Sequence, residues 1–262
     1  MSADALALRP DGVILIGADA EEMRGRLEPF VSAGIPIVGW HVGPRAGLLA
    51  DSPVTMNVST DPLEVARITA MAAVTGTHQR PGVVIFTDSN FKIAMAKANV
   101  MAEVVKACGT CVLLEVRDVA ISRSAEQMPG VTRELLERYG KRWTHALAIN
   151  DIYFDYAVPE FIAQGLSGDS IELLSAGDGS RSAFMRIQAG SFQTATVAEP
   201  LNLHGWQLVD ELNRLLARQP VSGYVVPVHL VSPENVKFDG GSRMLYDPDN
   251  DYRVIYRSIW HR

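Results

Sequence analysis

Polar side chains suited to holding a small molecule follow the apolar runs of this chain. Asp19 follows residues 13–17, Asp88, Ser89 and Asn90 follow residues 83–87, Asn150 and Asp151 follow residues 146–149, and Asp178 follows residues 171–176. Carboxylates and amides hydrogen bond to paired hydroxyl groups, and the rings of Trp40 and Phe91 can stack on C–H faces. The pattern therefore predicts a site for a neutral polyhydroxylated ligand.

The elements that position these residues alternate between short apolar strands and helices. The pattern predicts strands at 12–17, 35–40, 54–58, 82–87, 111–116, 145–150, 170–176, 194–198 and 225–231, and helices at 19–33, 61–75, 90–107, 124–139, 151–164, 180–189 and 202–217. Runs rich in Val, Ile and Leu suit parallel strands that are covered on both faces. The fold class is therefore α/β and doubly wound, and its ligands bind at the carboxyl ends of the strands.

The segment from Ser232 onward breaks this alternation. It is rich in turn residues, and we expect residues 252–260 to form one short strand or an edge segment packed on the body. Asp247, Asp249 and Asp251 match the first three ligand positions of a calcium loop, but Tyr252 stands where that loop needs glycine. An acidic turn is the preferred interpretation.

Composition and charge exclude several classes of protein. The 262 residues carry a net charge of −6, so broad binding to a nucleic acid backbone is not expected. No run of about 20 apolar residues is present, which argues against a membrane span. The first residues also lack the pattern of a secretory signal, so we expect either a cytosolic protein or a chain that begins after its signal.

The two cysteines, Cys108 and Cys111, are separated by two residues. This spacing leaves a short-loop disulfide, a pair of passive thiols, a redox motif and half of a zinc site open. A redox pair gains reactivity at a helix N-terminus, whereas this pair follows a predicted helix. No further cysteine pair or spaced histidines would complete a zinc site. A disulfide or passive thiols are therefore preferred.

Other single-residue signals have structural explanations. Asp151 and Ser180 occupy positions typical of helix N-caps. Ser170 lies in a Gly-Asp-Ser sequence that suggests an esterase nucleophile, but it precedes its strand, and no G-x-S-x-G elbow is present. Glycine-rich phosphate-binding fingerprints are also missing from the sequence.

Several segments, in order, resemble the type I periplasmic binding proteins, the ribose-binding-like sugar receptors of ABC importers. The blocks are LRPDGVILIG at residues 8–17, AGIPIVGW at 33–40, AIND at 148–151, SAGDG at 175–179, IQAG at 187–190 and TATVAEP at 194–200. The resemblance covers about residues 8–232. It implies two doubly wound lobes that close on a ligand like a hinge.

Carried onto this chain, the resemblance places one lobe at 1–59 with 200–222 and the other at 60–199 with 223–232, followed by a tail at 233–262. It implies the ligand-binding residues Trp40, His41, Asn90, Phe91, Asn150, Asp178 and Glu199. Asn150 would bridge hydroxyl groups, while Asp178 and Glu199 would accept hydrogen bonds. Phe91 or Trp40 would stack on the ligand.

The implied function is non-catalytic. The protein would bind a sugar or sugar-like solute in the periplasm and deliver it to an ABC transporter permease or a membrane sensor. We expect no cofactor, no metal and no nucleic acid partner, and a monomer is expected.

The chain departs from the family pattern at four places. His41 and Val42 replace the usual Asp-Arg pair, the nearest match to an arginine in the 90–107 helix is Lys97, and Glu199 replaces the hinge glutamine. These changes leave a cationic or modified ligand open. The chain also appears to start at the third strand of the family, so that one lobe is truncated and exposes strand edges that could favour association.

Two other functions stay open from sequence. The first is the cytoplasmic effector-binding domain of a lac-repressor-like regulator, which shares the fold. The second is a carbohydrate-active enzyme that uses Asp178 and Glu199 as paired carboxylates, with one pKa raised.

Overall fold

The computed structural model describes residues 3–76 and 80–261. The lobe limits expected from sequence also include residues 1, 2, 77–79 and 262, which lie outside the described residues. The chain divides into two compact units. Unit 1 comprises Met1–Pro62, Pro200–Pro227 and Asp247–Arg262, and unit 2 comprises Leu63–Glu199 and Val228–Tyr246. Residues 233–262, expected to form a separate tail, are thus divided between the two units.

Strands and helices alternate along most of the chain. In order, the elements are α1 (Ala3–Ala7), β1 (Val13–Ile16), α2 (Arg24–Ser32), β2 (Ile37–Trp40), β3 (Gly47–Leu48), β4 (Met56–Val58), α3 (Pro62–Thr75), β5 (Gly82–Thr87), α4 (Lys92–Ala107), β6 (Val112–Asp118), α5 (Ser124–Tyr139), β7 (His145–Ala148), α6 (Ile152–Ala163), β8 (Glu172–Ser175), α7 (Arg181–Ala189), β9 (Gln193–Ala198), α8 (Leu201–Leu216), β10 (His229–Val231), α9 (Val236–Gly240) and α10 (Tyr252–Trp260). In the described ranges, no helix is long and apolar enough to cross a membrane.

The sheet of unit 2 has the strand order β10-β9-β8-β7-β5-β6. Its strands are parallel except β10, which pairs antiparallel with β9. Every residue of β5 is buried, as is expected for a strand covered by helices on both faces. The largest buried side chains of this core include Trp143, Tyr153 and Phe161. Burial of each such ring contributes about 1.5–3 kcal/mol.

The sheet of unit 1 is smaller and has the order β1-β2-β4-β3. Strands β1, β2 and β4 are parallel, and the two-residue β3 pairs antiparallel with β4. Helix α8 covers one face through Leu208 and Leu212, whereas α2 covers the other through Leu27 and Phe30. The expected fold class, α/β lobes built on mainly parallel sheets, is therefore confirmed in both units.

The C-terminal segment folds differently from the sequence prediction. Residues 252–260 were expected to form a strand or an edge segment, but they form α10. Tyr252, Tyr256 and Trp260 recur every four residues, so they share one helix face. All three rings pack on Trp206 of α8, where the Trp206 and Trp260 ring centroids lie 5.1 Å apart. The aromatic spacing was thus a helix signal that the turn-rich surroundings obscured.

Two other predicted elements are shorter than expected. The helix predicted at 19–33 begins only at Arg24, because Asp19 instead accepts hydrogen bonds from the backbone N–H groups of Glu21 and Glu22 and holds a turn. The strand predicted at 225–231 is reduced to His229–Val231.

Candidate functional site

Five of the predicted ligand residues lie directly after the carboxyl ends of strands in unit 2. Asn90 and Phe91 follow β5, Asn150 follows β7, Asp178 follows β8 and Glu199 follows β9. These four strands are parallel and adjacent in the order β9-β8-β7-β5. Parallel strands end at the same edge of their sheet, so the fold brings all five residues to one edge.

The loop after β5 is organised by Asp88, which is buried. Its carboxylate accepts hydrogen bonds from the backbone N–H of Asn90 at 2.9 Å, from the Asn90 side-chain amide at 2.8 Å and from the backbone N–H of Ile121 at 2.7 Å. Phe91 follows with 39% of its surface exposed. Asp88 therefore fixes the loop from within, while Phe91 presents a ring at the surface.

Tyr153 holds the neighbouring loop, which follows β6. Its buried hydroxyl donates a hydrogen bond to the carbonyl of Val119 at 2.9 Å. Burial, together with the nearby carboxylates of Asp88 and Asp118, raises the pKa of the Tyr153 phenol far above its ordinary value. The phenol therefore stays neutral and acts as a donor.

The carboxylate of Asp151 links the end of β8, the loop that follows it and the start of β9. It accepts hydrogen bonds from the Ser175 hydroxyl, from the backbone N–H groups of Gly179 at 3.0 Å and Ser180 at 2.8 Å, and from the Gln193 amide at 2.8 Å. Asp151 occupies the N-cap position of α6 as expected, but its side chain makes no capping bond to that helix. Charge-assisted bonds to four donors outweigh a single cap.

Ser180 does act as the predicted N-cap. Its hydroxyl accepts a hydrogen bond from the backbone N–H of Ala183 at the start of α7. The loop after β8 is thus held at two points, by this cap and by Asp151.

Asn150 is the next residue after the buried Ile149, and its side-chain oxygen is buried. In the part of the chain that the structure describes, this Oδ1 atom has no hydrogen bond donor. A buried acceptor without a donor costs about 1–3 kcal/mol, so a donor supplied by a ligand would be stabilising.

Asp178 and Glu199 meet through the backbone, where the N–H of Glu199 donates to the carbonyl of Asp178 at 3.2 Å. The peptide bond between Gly177 and Asp178 is cis. Gly177 has a φ of 112°, and a Cβ atom there would lie 3.5 Å from the Glu199 carboxylate and 3.4 Å from the Lys97 ammonium. Only 2% of the surface of Glu199 is exposed, so this residue is buried at the carboxyl edge of the sheet.

Lys97 of α4 is also buried, with 6% of its surface exposed. Its ammonium donates to the carbonyl of Ala176 at 2.7 Å and to that of Ile149 at 3.4 Å. Sequence matched it to a family arginine, whereas the structure turns it toward main-chain carbonyls. Sequence patterns did not indicate these carbonyl contacts or the linking role of Asp151, because both depend on partners distant along the chain.

Trp40 and His41 follow β2 in unit 1. Their rings stack with centroids 3.8 Å apart and planes inclined by 11°, and His41 adopts a left-handed φ of 52°. The Trp40 indole N–H donates to Nδ1 of the buried His204 at 3.3 Å. His204, on α8, was missed from sequence because it lies 164 residues away from Trp40.

The remaining candidate sites carry no ligand chemistry of their own. No group of three or more metal-ligating side chains occurs within residues 3–76 and 80–261. Asp247 of the acidic turn instead accepts from the Tyr252 hydroxyl and the Arg253 guanidinium, which together overcome the effect of burial and lower its pKa. Cys108 and Cys111 form a disulfide between α4 and β6, at the amino end of the strands.

The sequence of this chain matches the profile of a known protein family. The profile of a family described as a periplasmic binding protein domain matches residues 1–220. No curated protein matches the chain by sequence.

Solved structures share the fold. One is an ABC transporter solute-binding protein from Agrobacterium vitis with bound allitol, 20% identical, with a TM-score of 0.74 over 89% of this chain and 79% of that one. A Bacillus halodurans counterpart with bound myo-inositol is 17% identical, with a TM-score of 0.76 over 89% and 78%. A Mycobacterium smegmatis counterpart with bound glycerol is 17% identical, with a TM-score of 0.77 over 94% and 82%.

Proposed function

This chain belongs to the periplasmic binding protein domain family, and on that premise we propose that it is a receptor for a small neutral polyol or sugar. The observation that carries the proposal is the edge of unit 2 where Asn90, Phe91, Asn150, Asp178 and Glu199 follow adjacent parallel strands. The receptor hands its ligand to an ABC transporter in the periplasm.

The buried Oδ1 of Asn150 supports a ligand that donates hydrogen bonds. Carboxylates such as those of Asp178 and Glu199 also accept hydrogen bonds when ionised, and hydroxyl groups are donors suited to both the amide oxygen and the carboxylates. The exposed ring of Phe91 offers a surface for the C–H face of a sugar or polyol.

The bound molecules in the similar structures support the same class. Allitol, myo-inositol and glycerol, named for the proteins from Agrobacterium vitis, Bacillus halodurans and Mycobacterium smegmatis, carry only hydroxyl groups. A neutral polyhydroxylated ligand for this chain follows by the same chemistry.

Thermal-shift screening against glycerol, linear alditols, inositols, and pentoses and hexoses tests this proposal, followed by calorimetry on any compound that raises the Tm. We expect at least one polyol or sugar to bind with 1:1 stoichiometry. If none raises the Tm and native mass spectrometry finds no bound solute, the proposal is wrong.

The residue-level test replaces Asn150 by alanine. Loss of its amide is expected to weaken binding about tenfold, since a hydrogen bond worth about 1.4 kcal/mol changes an affinity by that factor. Asn99→Ala, at an exposed position on α4, is the matched control and should leave the affinity unchanged. Equal affinities for the two variants would remove Asn150 from the site.

A further inference from the structure

Lys97 is a buried cation that contacts the backbone beside two of the proposed ligand residues in unit 2. It lies in α4, which begins directly after the β5 loop at this sheet edge, and only 6% of its surface is exposed. Its ammonium donates hydrogen bonds to two main-chain carbonyls.

The two carbonyls come from neighbouring loops. That of Ile149 immediately precedes Asn150, after β7, and that of Ala176 precedes Asp178 by two residues, after β8. One ammonium group therefore bridges the backbone of both loops. Because hydrogen bonds to charged groups are stronger than neutral ones, this bridge restrains the loops against each other.

We propose that Lys97 is a positioning residue for ligand binding, which fixes the spacing between Asn150 and Asp178 without itself touching the solute. This inference rests on the proposed function. The lysine sets affinity by preorganising both side chains, so that less ordering is needed when the ligand binds.

Gly177 belongs to the same arrangement. Its φ of 112° lies in a region that L side chains rarely adopt, and a Cβ there would point toward the Lys97 ammonium and the Glu199 carboxylate. The backbone next to Asp178 thus passes close to the lysine, which allows the ammonium to reach the Ala176 carbonyl.

Lys97→Met is the primary test, since methionine keeps the length and apolar stem of the side chain and removes the ammonium. We expect binding of a polyol or sugar found in the screen to weaken at least tenfold. Lys97→Arg retains a cationic donor and should stay within about threefold of wild type. Lys106→Met, at an exposed position of the same helix, is the control and should bind as wild type does.

A double-mutant cycle with Asn150→Ala distinguishes a lysine that positions Asn150 from one that only stabilises the fold. If Lys97 acts through Asn150, Lys97→Met costs clearly less affinity in the Asn150→Ala background than in wild type. Additive losses overturn the proposal, as do a Lys97→Met affinity equal to that of Lys106→Met or a Lys97→Arg loss as large as that of Lys97→Met.

Hydrogen exchange keeps the two proposals separable. In Lys97→Met, amides of residues 149–152 and 176–179 should exchange faster, while those of β5 keep wild-type protection. Unchanged protection in both loops overturns the positioning role whether or not a ligand has been found. Failure of the wild-type chain to bind any solute, by contrast, counts only against the proposed function. If Lys97→Met does not fold, the same exchange and affinity measurements are made on Lys97→Gln, with the same expected results.

Discussion

The two sheets of this molecule differ in their edge strands, β6 in unit 2 and β1 in unit 1. In unit 2 the edge strand β6 carries Glu115, Arg117 and Asp118, and Glu115 accepts hydrogen bonds from Arg117, Arg138 and the Tyr139 hydroxyl. Burial raises the pKa of the Glu115 carboxyl, but the bonds from Tyr139 and Arg117 outweigh it and hold the pKa below its ordinary value. Charges of this kind discourage another strand from pairing with an edge.

The edge strand β1 of unit 1 has no such protection. Its sequence is Val-Ile-Leu-Ile, and Ile16 is 64% exposed. Within residues 3–76 and 80–261, only β2 pairs with it. A hollow of about 400 Å³ lies beside Ile14 and is lined by Val209, Leu212 and Leu216 of α8. A second hollow of about 270 Å³ lies on the α2 side of β1.

The contrast shows that sheets of the same fold class can have either a charged or an apolar edge strand. Unit 2 combines an internal polar network around Asp151 with a charged edge strand. Unit 1 carries an apolar edge that is competent for strand addition. We therefore expect the internal network to dominate the stability of unit 2, and the edge of unit 1 to influence association more than stability.

Asp151→Ala has the largest expected effect, because it tests the internal network of unit 2. The substitution removes the acceptor shared by Ser175, Gly179, Ser180 and Gln193. Ser175 and Gln193 keep other acceptors, but the backbone N–H groups of Gly179 and Ser180 lose theirs, so the free energy of unfolding should fall by about 3–5 kcal/mol. Urea denaturation measures it, and Asp169→Ala, at an exposed position, is the control. A loss below 1 kcal/mol would mean that the network does not dominate this unit.

Lowering the pH from 6.5 to 4 should have the next largest effect on the free energy of unfolding. Burial lowers the pKa of His145, at the start of β7, to about 4, so the unfolded chain takes up this proton at higher pH than the folded chain does. Its contribution to stability is complete above about pH 6.5 and is lost as the pH falls toward 4, amounting to at most about 3 kcal/mol.

The test measures the free energy of unfolding of wild type and His145→Gln by urea denaturation at each pH and compares the two curves. Burial raises the pKa of Glu172, whose carboxylate lies 3.8 Å from the His145 ring, and this acts in the opposite direction. The wild-type chain should lose more stability than the variant between pH 6.5 and 4. Parallel curves would show that His145 is not the responsible group.

The sequence predicted the parts of this fold that local patterns control. The parallel strands follow from buried Val, Ile and Leu runs, and family membership confirms the resemblance of the sequence blocks between residues 8 and 200. The strand order within each sheet was not predicted, because an apolar run does not specify which strands pair. The family consists of binding proteins, so the expectation of a non-enzymatic protein is also confirmed. Which solute binds, and which of the predicted ligand residues contact it, stay predictions.

The misses have a common physical cause. Asp151 was assigned to a local cap, but its partners lie 24 to 42 residues away, and the ammonium of Lys97 reaches a carbonyl 79 residues away. Sequence spacing reports neighbours on one helix or strand and carries no information on such contacts. The α10 helix was not predicted although its aromatic spacing is a local signal, because the turn residues that precede it indicated irregular structure.

Glu115→Ala should have a moderate effect and would make the β6 edge more like that of β1. Its three donors are partly exposed and can turn to water, so the expected loss of stability is about 1 kcal/mol. Sedimentation velocity over a range of concentrations should show more association than in wild type. Glu126→Ala, which alters an exposed pair with Arg123 on the same unit, is the control. Unchanged association would mean that charge is not what protects this edge.

Ile16→Lys makes the converse change and has the smallest expected effect on stability. The side chain is largely exposed, so the free energy of unfolding should change by no more than about 0.5 kcal/mol. A lysine on an exposed edge hinders pairing with another strand, so association at high concentration should decrease. Leu48→Lys, an equally exposed position on β3, separates the effect of this edge from that of added charge. If both lysines reduce association equally, net charge and not the β1 edge governs it, and the contrast between the two sheets does not extend to solution behaviour.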